Sequence, residues 1–222
     1  MINVKNKNNM KKVLLFLAVL LSISFMMGSC VVNPSYMGLE EKNPEKYKLA
    51  DVDLSCRNFL STKGKEVKIY KLDKDILKSV INNSDKDYFM LYAYNSWCSS
   101  AQCGYFDTVL HNFQGTRDIQ LILICADNIL EKESTERFLN AYRFYYPTFF
   151  LDANKYGNKR NLFSAARYTS FISDVNPRTK TTESMNSYVF LDKSLNIISE
   201  GLYKSSTYKE MLELIKTSNG NE

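Results

Sequence analysis

Two cysteines stand close together in the stretch "MLYAYNSWCSSAQCGYF" (90–106). Cys98 and Cys103 are separated by four residues, and the chain's only tryptophan, Trp97, directly precedes the first. Such a pair can form a reversible disulfide, a structural disulfide or part of a metal site. Because the chain has a single histidine and no second closely spaced cysteine pair, a metal site is disfavoured. A redox disulfide and a structural disulfide remain as interpretations.

The N-terminus indicates export. Four lysines within the first twelve residues precede the apolar run "VLLFLAVLLSISFMM" (13–27), and small residues then lead to Cys30. This order predicts a signal peptide over 1–29, since a run of about 15 apolar residues is shorter than the roughly 20 that span a bilayer. "MGSC" resembles the lipobox of bacterial lipoproteins, which implies that Cys30 is acylated and anchors the chain to a membrane. An ordinary signal peptide and an uncleaved anchor are the alternatives.

The composition and charge of the chain after the predicted signal peptide limit the classes of partner to be expected. Residues 30–63 are polar and contain Pro34 and Pro44, so they are predicted as a lipidated tether and N-terminal extension. No acidic run follows Cys30, which favours the periplasm-facing side of the cell envelope. The full chain has 29 Lys plus Arg and 24 Asp plus Glu, and the loss of four signal lysines leaves 25 − 24 = +1. Nucleic acid is therefore disfavoured as a partner.

The remainder, 64–222, is long enough for one domain, and its elements alternate. Apolar runs predict buried strands, and amphipathic runs predict helices, the first of them capped by Asp73. Strands are predicted at 66–72, 87–94 and 119–127, helices at 73–83, 106–113 and 132–145, a hairpin at 187–203 and a last helix at 208–217. This order predicts an α/β sandwich with a mixed sheet.

A buried strand that ends in Trp-Cys, a second cysteine and a following helix resemble the thioredoxin-like thiol-disulfide oxidoreductases. "YVFLDKSLNIISEG" (188–201) resembles their closing hairpin, so the likeness covers roughly 64–218. It implies a three-layer sandwich with a central mixed sheet, no cofactor or metal, and thiols or disulfides of exported proteins as partners. Cys98 would be the nucleophile, with its pKa lowered at a helix N-terminus and one side shielded by Trp97, and Cys103 would resolve the mixed disulfide.

The chain departs from that family in its cysteine spacing. The family's pair is C-x-x-C, whereas "CSSAQC" is C-x4-C. On an unbroken helix, five positions place two side chains about 140° apart, so the pair can close only if Cys98 precedes the helix or the first turn is distorted.

The family's cis-proline, which faces the cysteines, has two candidate positions. Aligning "YVFLD" with the strand after that proline puts Asn186 there and makes 147–185 an insertion before the C-terminal hairpin. The competing register uses Pro147 in "YPTFFLD", although it leaves the helix-like 161–173 unexplained. The first register is preferred for the fold, and both residues are candidate neighbours of the site.

Other residues have less specific readings. Cys125, inside an apolar strand, is predicted to be a buried thiol, Cys56 to be buried or a pairing partner, and His111 to serve packing or the surface rather than catalysis. The altered spacing and the absent proline at 186 favour an alternative function, in which a catalytically silent thioredoxin-fold lipoprotein serves as a binding or assembly module.

Overall fold

The computed structural model of the chain describes residues 45–96, 105–113, 116, 118–127, 129–157, 164–180 and 186–219. The predicted signal peptide, the predicted lipidation site Cys30 and the upstream part of the tether lie outside these residues. So do Trp97, Cys98 and Cys103.

The apolar runs of the sequence form a six-stranded sheet. Its strands are β1 (Ile69–Leu72), β2 (Tyr88–Tyr94), β3 (Ile119–Cys125), β4 (Thr148–Leu151), β5 (Ser187–Asp192) and β6 (Ile197–Leu202). The order across the sheet is β1-β4-β3-β2-β5-β6. The first four strands run parallel, while β5 is antiparallel to β2 and β6 is antiparallel to β5. The central strands β2 and β3 are buried almost throughout, as their continuous apolar sequences predict.

Helices cover both faces of this sheet. They are α1 (Lys74–Asn82), α2 (Phe106–Phe113), α3 (Lys132–Ala141), α4 (Ala153–Tyr156), α5 (Ser164–Val175) and α6 (Thr207–Asn219). One apolar core lies between the sheet and α1, α4 and α5, and a second lies between the sheet and α2, α3 and α6. Within the described ranges, no helix is long and apolar enough to cross a membrane. The predicted fold class, an α/β three-layer sandwich with a central mixed sheet, is confirmed.

Local signals in the sequence explain where several elements begin and end. The Asp73 carboxylate accepts a hydrogen bond from the Ile76 backbone N–H at 2.8 Å and so caps α1, as expected. The hairpin between β5 and β6 turns through Leu195 at φ 66°. Helix α3 ends at Ala141, four residues before the predicted boundary at 145, because Arg143 adopts a left-handed φ of 52°.

The predicted insertion 147–185 contributes a strand and a helix to the core of the domain. Its strand β4 is hydrogen-bonded between β1 and β3, with all four residues buried, and its helix α5 packs on the sheet. Part of the predicted N-terminal extension also joins the domain: Phe59 and Leu60 are buried in the first core, and Ala50 pairs with Tyr70 of β1. Packing therefore begins before residue 64.

Candidate functional site

Described residues flank the two predicted redox cysteines on both sides. Strand β2 ends at Tyr94, the described chain stops at Ser96 and resumes at Tyr105, and α2 then begins at Phe106. Cys98 follows Ser96 by two residues. Cys103 precedes Phe106, the first residue of α2, by three positions, and both cysteines lie outside the described residues.

Asn186 lies at the edge of the sheet where β2 ends. It directly precedes β5, whose Ser187 pairs with Ala93 of β2. Its φ is 52°, a left-handed conformation that asparagine tolerates better than most residues. The Tyr92 hydroxyl donates to Asn186 Oδ1 at 2.6 Å, and Asn186 Nδ2 donates to the Tyr203 carbonyl at 3.1 Å. Both side-chain ends of this buried asparagine are thus engaged.

Pro147, the other candidate for the proline position, lies elsewhere. It directly precedes β4, which is separated from β2 by β3, and the peptide bond before it is trans. It lines a different cavity, of about 330 Å³, together with Phe59, Tyr70 and Tyr145. The structure therefore brings Asn186, and not Pro147, to the carboxyl end of β2.

A small cavity with aromatic walls opens beside Asn186. Its volume is about 50 Å³, and its lining combines five aromatic side chains with two asparagines: Tyr92, Tyr94, Asn95, Phe106, Phe138, Tyr142 and Asn186. Phe106 is central to the wall, since its ring centroid lies 5.0 Å from that of Tyr94 and 4.8 Å from that of Phe138. This contact fixes the start of α2 against the end of β2, on either side of the segment that carries the cysteines.

Asp127 is a site residue that no sequence motif identifies. It lies just after β3, is 4% exposed, and accepts hydrogen bonds from the backbone N–H of Ser96 at 2.7 Å and from the Ser96 hydroxyl at 2.8 Å. The Asn95 Nδ2 also donates to its carboxylate. Polar residues that follow neighbouring parallel strands meet at one edge of a sheet, and this rule would have singled out Asn95 and Asp127. Tyr92 also belongs to the site. It lies inside the apolar run of β2, so its sequence neighbours give no sign of a polar role.

Two further cysteines and the histidine lie among the described residues. Cys125 and Cys56 are free thiols, the first fully buried and the second half-buried, and His111 is exposed on α2. Burial, together with the neighbouring Asp127 carboxylate, raises the pKa of the Cys125 thiol well above its usual value. Among the described residues, no group of three or more histidine, cysteine or acidic side chains is arranged to hold a metal ion.

Cys125 is expected to resist alkylation in the folded protein. Its side chain is 1% exposed, and its raised pKa keeps the reactive thiolate scarce at neutral pH. Iodoacetamide treatment at pH 8 followed by peptide mapping should label Cys125 only after unfolding in denaturant, whereas the half-buried Cys56 serves as the internal control for labelling of the folded chain. Labelling of Cys125 as fast as Cys56 in the folded protein would contradict its burial.

Topology decides the fold. A buried strand that leads into the cysteine segment has a parallel neighbour on one side and an antiparallel C-terminal hairpin on the other, and a helix follows that hairpin. The residue before the hairpin lies beside the end of the buried strand. The fold is thioredoxin-like.

Comparisons with known proteins found solved structures that are 13–19% identical to the chain over the aligned part. Solved structures similar to the chain include a thiol-disulfide oxidoreductase from Bacteroides fragilis NCTC 9343, with 13% identity and a TM-score of 0.38 over 58% of this chain and 81% of that one. A thioredoxin-like protein from Aeropyrum pernix has 19% identity and a TM-score of 0.37 over 62% and 81%. StoA from Bacillus subtilis has 14% identity and a TM-score of 0.33 over 56% and 81%. No protein-family model matches the chain. No curated protein matches it significantly.

Proposed function

We propose that the protein is a thiol-disulfide oxidoreductase that acts on exported proteins through Cys98 and Cys103. One observation carries the proposal. The cysteine segment is tied to the end of β2 at Ser96 and to the start of α2 at Tyr105, and Asn186 lies at the same edge of the sheet. The described backbone on both sides of the cysteine segment is therefore held in place, which supports a reactive site at this edge of the sheet.

The chemistry follows from thiol-disulfide exchange. The Cys98 thiolate attacks one sulfur of a client disulfide, forms a mixed disulfide and releases the other client sulfur as a thiolate that takes up a proton. The Cys103 thiolate then attacks Cys98 Sγ and releases the second client thiol. The client disulfide has been reduced to two thiols, and Cys98 and Cys103 have been oxidised to a disulfide. The same steps in reverse oxidise a client dithiol, so the direction depends on the reduction potential of the pair.

Peptide mapping combined with a turnover assay tests this proposal. The oxidised protein should yield a Cys98–Cys103 cystine that opens under mild, graded reduction, while Cys56 and Cys125 stay as free thiols. The reduced protein should reduce a disulfide-linked fluorescent peptide, with glutathione as electron donor, faster than glutathione alone does. Finding Cys98 linked to Cys56 would remove the redox pair.

A binding module without catalysis is the second candidate. The observation that favours it is Asn186, whose left-handed backbone stands where the family has a proline and whose side chain is used up in hydrogen bonds with Tyr92 and Tyr203. A Cys98–Cys103 cystine that forms normally but gives no turnover above the glutathione background would favour this second candidate over the first.

We also propose that Cys30 is lipidated and holds the protein on the periplasm-facing side of an envelope membrane. The basic start, the apolar run and "MGSC" support this.

Replacing Cys30 with serine should release a soluble form or leave an uncleaved precursor, because the acylated residue would be gone. Partitioning into Triton X-114 with mass measurement of the mature N-terminus gives the result, and Cys56→Ser serves as the matched control that stays in the detergent phase. Unchanged partitioning of a mature Cys30 variant would contradict the anchor.

A further inference from the structure

We infer that Asp127 is a positioning residue for the cysteine segment. This inference rests on the proposed function, because the group that Asp127 would act through is the redox cysteine Cys98. Asp127 belongs to a different strand connection from the cysteines, 29 residues beyond Cys98 (127 − 98), yet its carboxylate is bonded to both residues that link β2 to that segment.

Both carboxylate oxygens of Asp127 accept hydrogen bonds from side-chain or backbone donors. Oδ1 accepts from Asn95 Nδ2, and Oδ2 accepts from the Ser96 N–H and the Ser96 hydroxyl. The Cys125 thiol donates to Oδ2 at 3.4 Å. Four donors from three residues converge on one carboxylate, so its two oxygens hold the Asn95 side chain and both the backbone and the hydroxyl of Ser96.

Helix α3 completes this arrangement. Thr135, fully buried on α3, donates its hydroxyl to Ser96 Oγ at 3.1 Å and lies 3.4 Å from Cys125 Sγ. Ser96 is therefore held from β3 and from α3 at once. Buried polar groups that are satisfied in this way make a local structure unique, and loss of one member leaves the others unpaired in a medium of low dielectric.

The position of this cluster gives it a role beyond stability. Ser96 is the last described residue before Cys98, and two peptide units separate them. We expect that holding Ser96 reduces the conformational entropy that the chain at Cys98 loses when Cys98 pairs with Cys103. Asp127 therefore favours the Cys98–Cys103 disulfide over the separated thiols and favours attack by a correctly placed thiolate.

A conservative variant can separate the hydrogen bonds of Asp127 from its charge. Asn95 Oδ1 is buried and has no hydrogen-bond partner among the described residues. In Asp127→Asn the new amide NH2 can donate to Asn95 Oδ1 once the Asn95 amide has flipped, and the remaining amide oxygen can still accept from Ser96. This variant therefore keeps the geometry and removes the charge, whereas Asp127→Ala removes both.

Asp192 provides a matched control. Its carboxylate also collects several donors, the backbone N–H groups of Ser194 and Asn196 and the Asn196 side chain, but it lies in the β5–β6 hairpin. That hairpin is at the other end of β2, where Asp192 pairs with Tyr88. Asp192→Ala should lower stability in a similar way without affecting the cysteine segment.

The experiment measures the equilibrium of the Cys98–Cys103 disulfide with reduced and oxidised glutathione, and kcat/KM for reduction of a disulfide peptide, in the full chain and the three variants. Asp127→Ala should shift the equilibrium toward the thiols by at least about fivefold and lower kcat/KM about 10- to 100-fold per folded molecule. Asp127→Asn and Asp192→Ala should stay within about twofold of the natural chain on both measures.

Each result decides the inference. An Asp127→Ala equilibrium equal to that of the natural chain overturns it, and so does Asp127→Asn as impaired as Asp127→Ala, since charge rather than hydrogen bonding would then act. A natural chain that forms the disulfide but shows no turnover overturns the proposed function, while the equilibrium constants still test Asp127. A natural chain in which Cys98 and Cys103 form no disulfide overturns both.

Discussion

Replacing Cys98 with serine is expected to abolish disulfide exchange, and replacing Cys103 with serine is expected to leave attack intact while trapping mixed disulfides. A serine hydroxyl is not a nucleophile toward sulfur at neutral pH, so the first step fails without Cys98. Without Cys103 the first step still occurs, but no second thiol of the pair can attack Cys98 Sγ and release the client, so the mixed disulfide persists. Both variants would be expressed in the export compartment and examined on non-reducing gels.

The pattern of adducts assigns the roles. Adducts with the Cys103 variant alone, lost on reduction, would match the expectation, and a double variant lacking both cysteines is the control for capture by Cys56. Adducts with the Cys98 variant alone would reverse the roles of nucleophile and resolver. Adducts with neither variant would shift the interpretation to the binding module.

Replacing Asn186 with proline is expected to destabilise this chain. Proline is confined to φ near −65°, whereas Asn186 has φ 52°. The change also removes the acceptor for the hydroxyl of Tyr92, a residue that is 1% exposed, and the donor to the Tyr203 carbonyl. Together these effects should lower the free energy of unfolding by about 3 kcal/mol or more.

Glycine at 186 is the matched control, because it adopts positive φ freely but loses the same hydrogen bonds. Its expected loss is about 1–3 kcal/mol, so the difference between the two variants isolates the backbone strain. Urea denaturation followed by circular dichroism measures both values. A proline variant as stable as the glycine variant would show that the backbone at 186 adapts, and the left-handed conformation would then be incidental.

Much of the fold follows from local patterns. The dense apolar runs of β2 and β3 and the Asp73 cap of α1 identify their elements because these signals lie within the elements themselves. The place of β4 could not be predicted in this way. Its four buried residues, "TFFL", say that it is buried on both faces, but not which strands flank it.

The candidate site likewise contains residues that local patterns identify and residues that only strand pairing brings together. The cysteines are recognisable because they are close in sequence. Tyr92 and Asn186 are 94 positions apart and meet only because β5 pairs with β2. Asp127 meets Ser96 only because β3 also pairs with β2. A polar side chain inside an apolar run, such as Tyr92, has no partner that its own neighbourhood can reveal, so its role depends on strand pairing that local patterns do not encode.

The place of β4 between β1 and β3 also has a consequence for the order of folding. Tyr88 and Ile119 pair across 119 − 88 = 31 residues, but Ile69 and Thr148 pair across 148 − 69 = 79. Closing the longer loop is entropically more demanding, and β1 has no strand to join until β4 has docked on β3. Among the described strands, the first to emerge during synthesis is thus among the last to be paired with another strand. Ala50 can bond to one edge of β1 early, but the backbone donors and acceptors on the edge that faces β4 remain open to other unfolded chains until residue 151 is available.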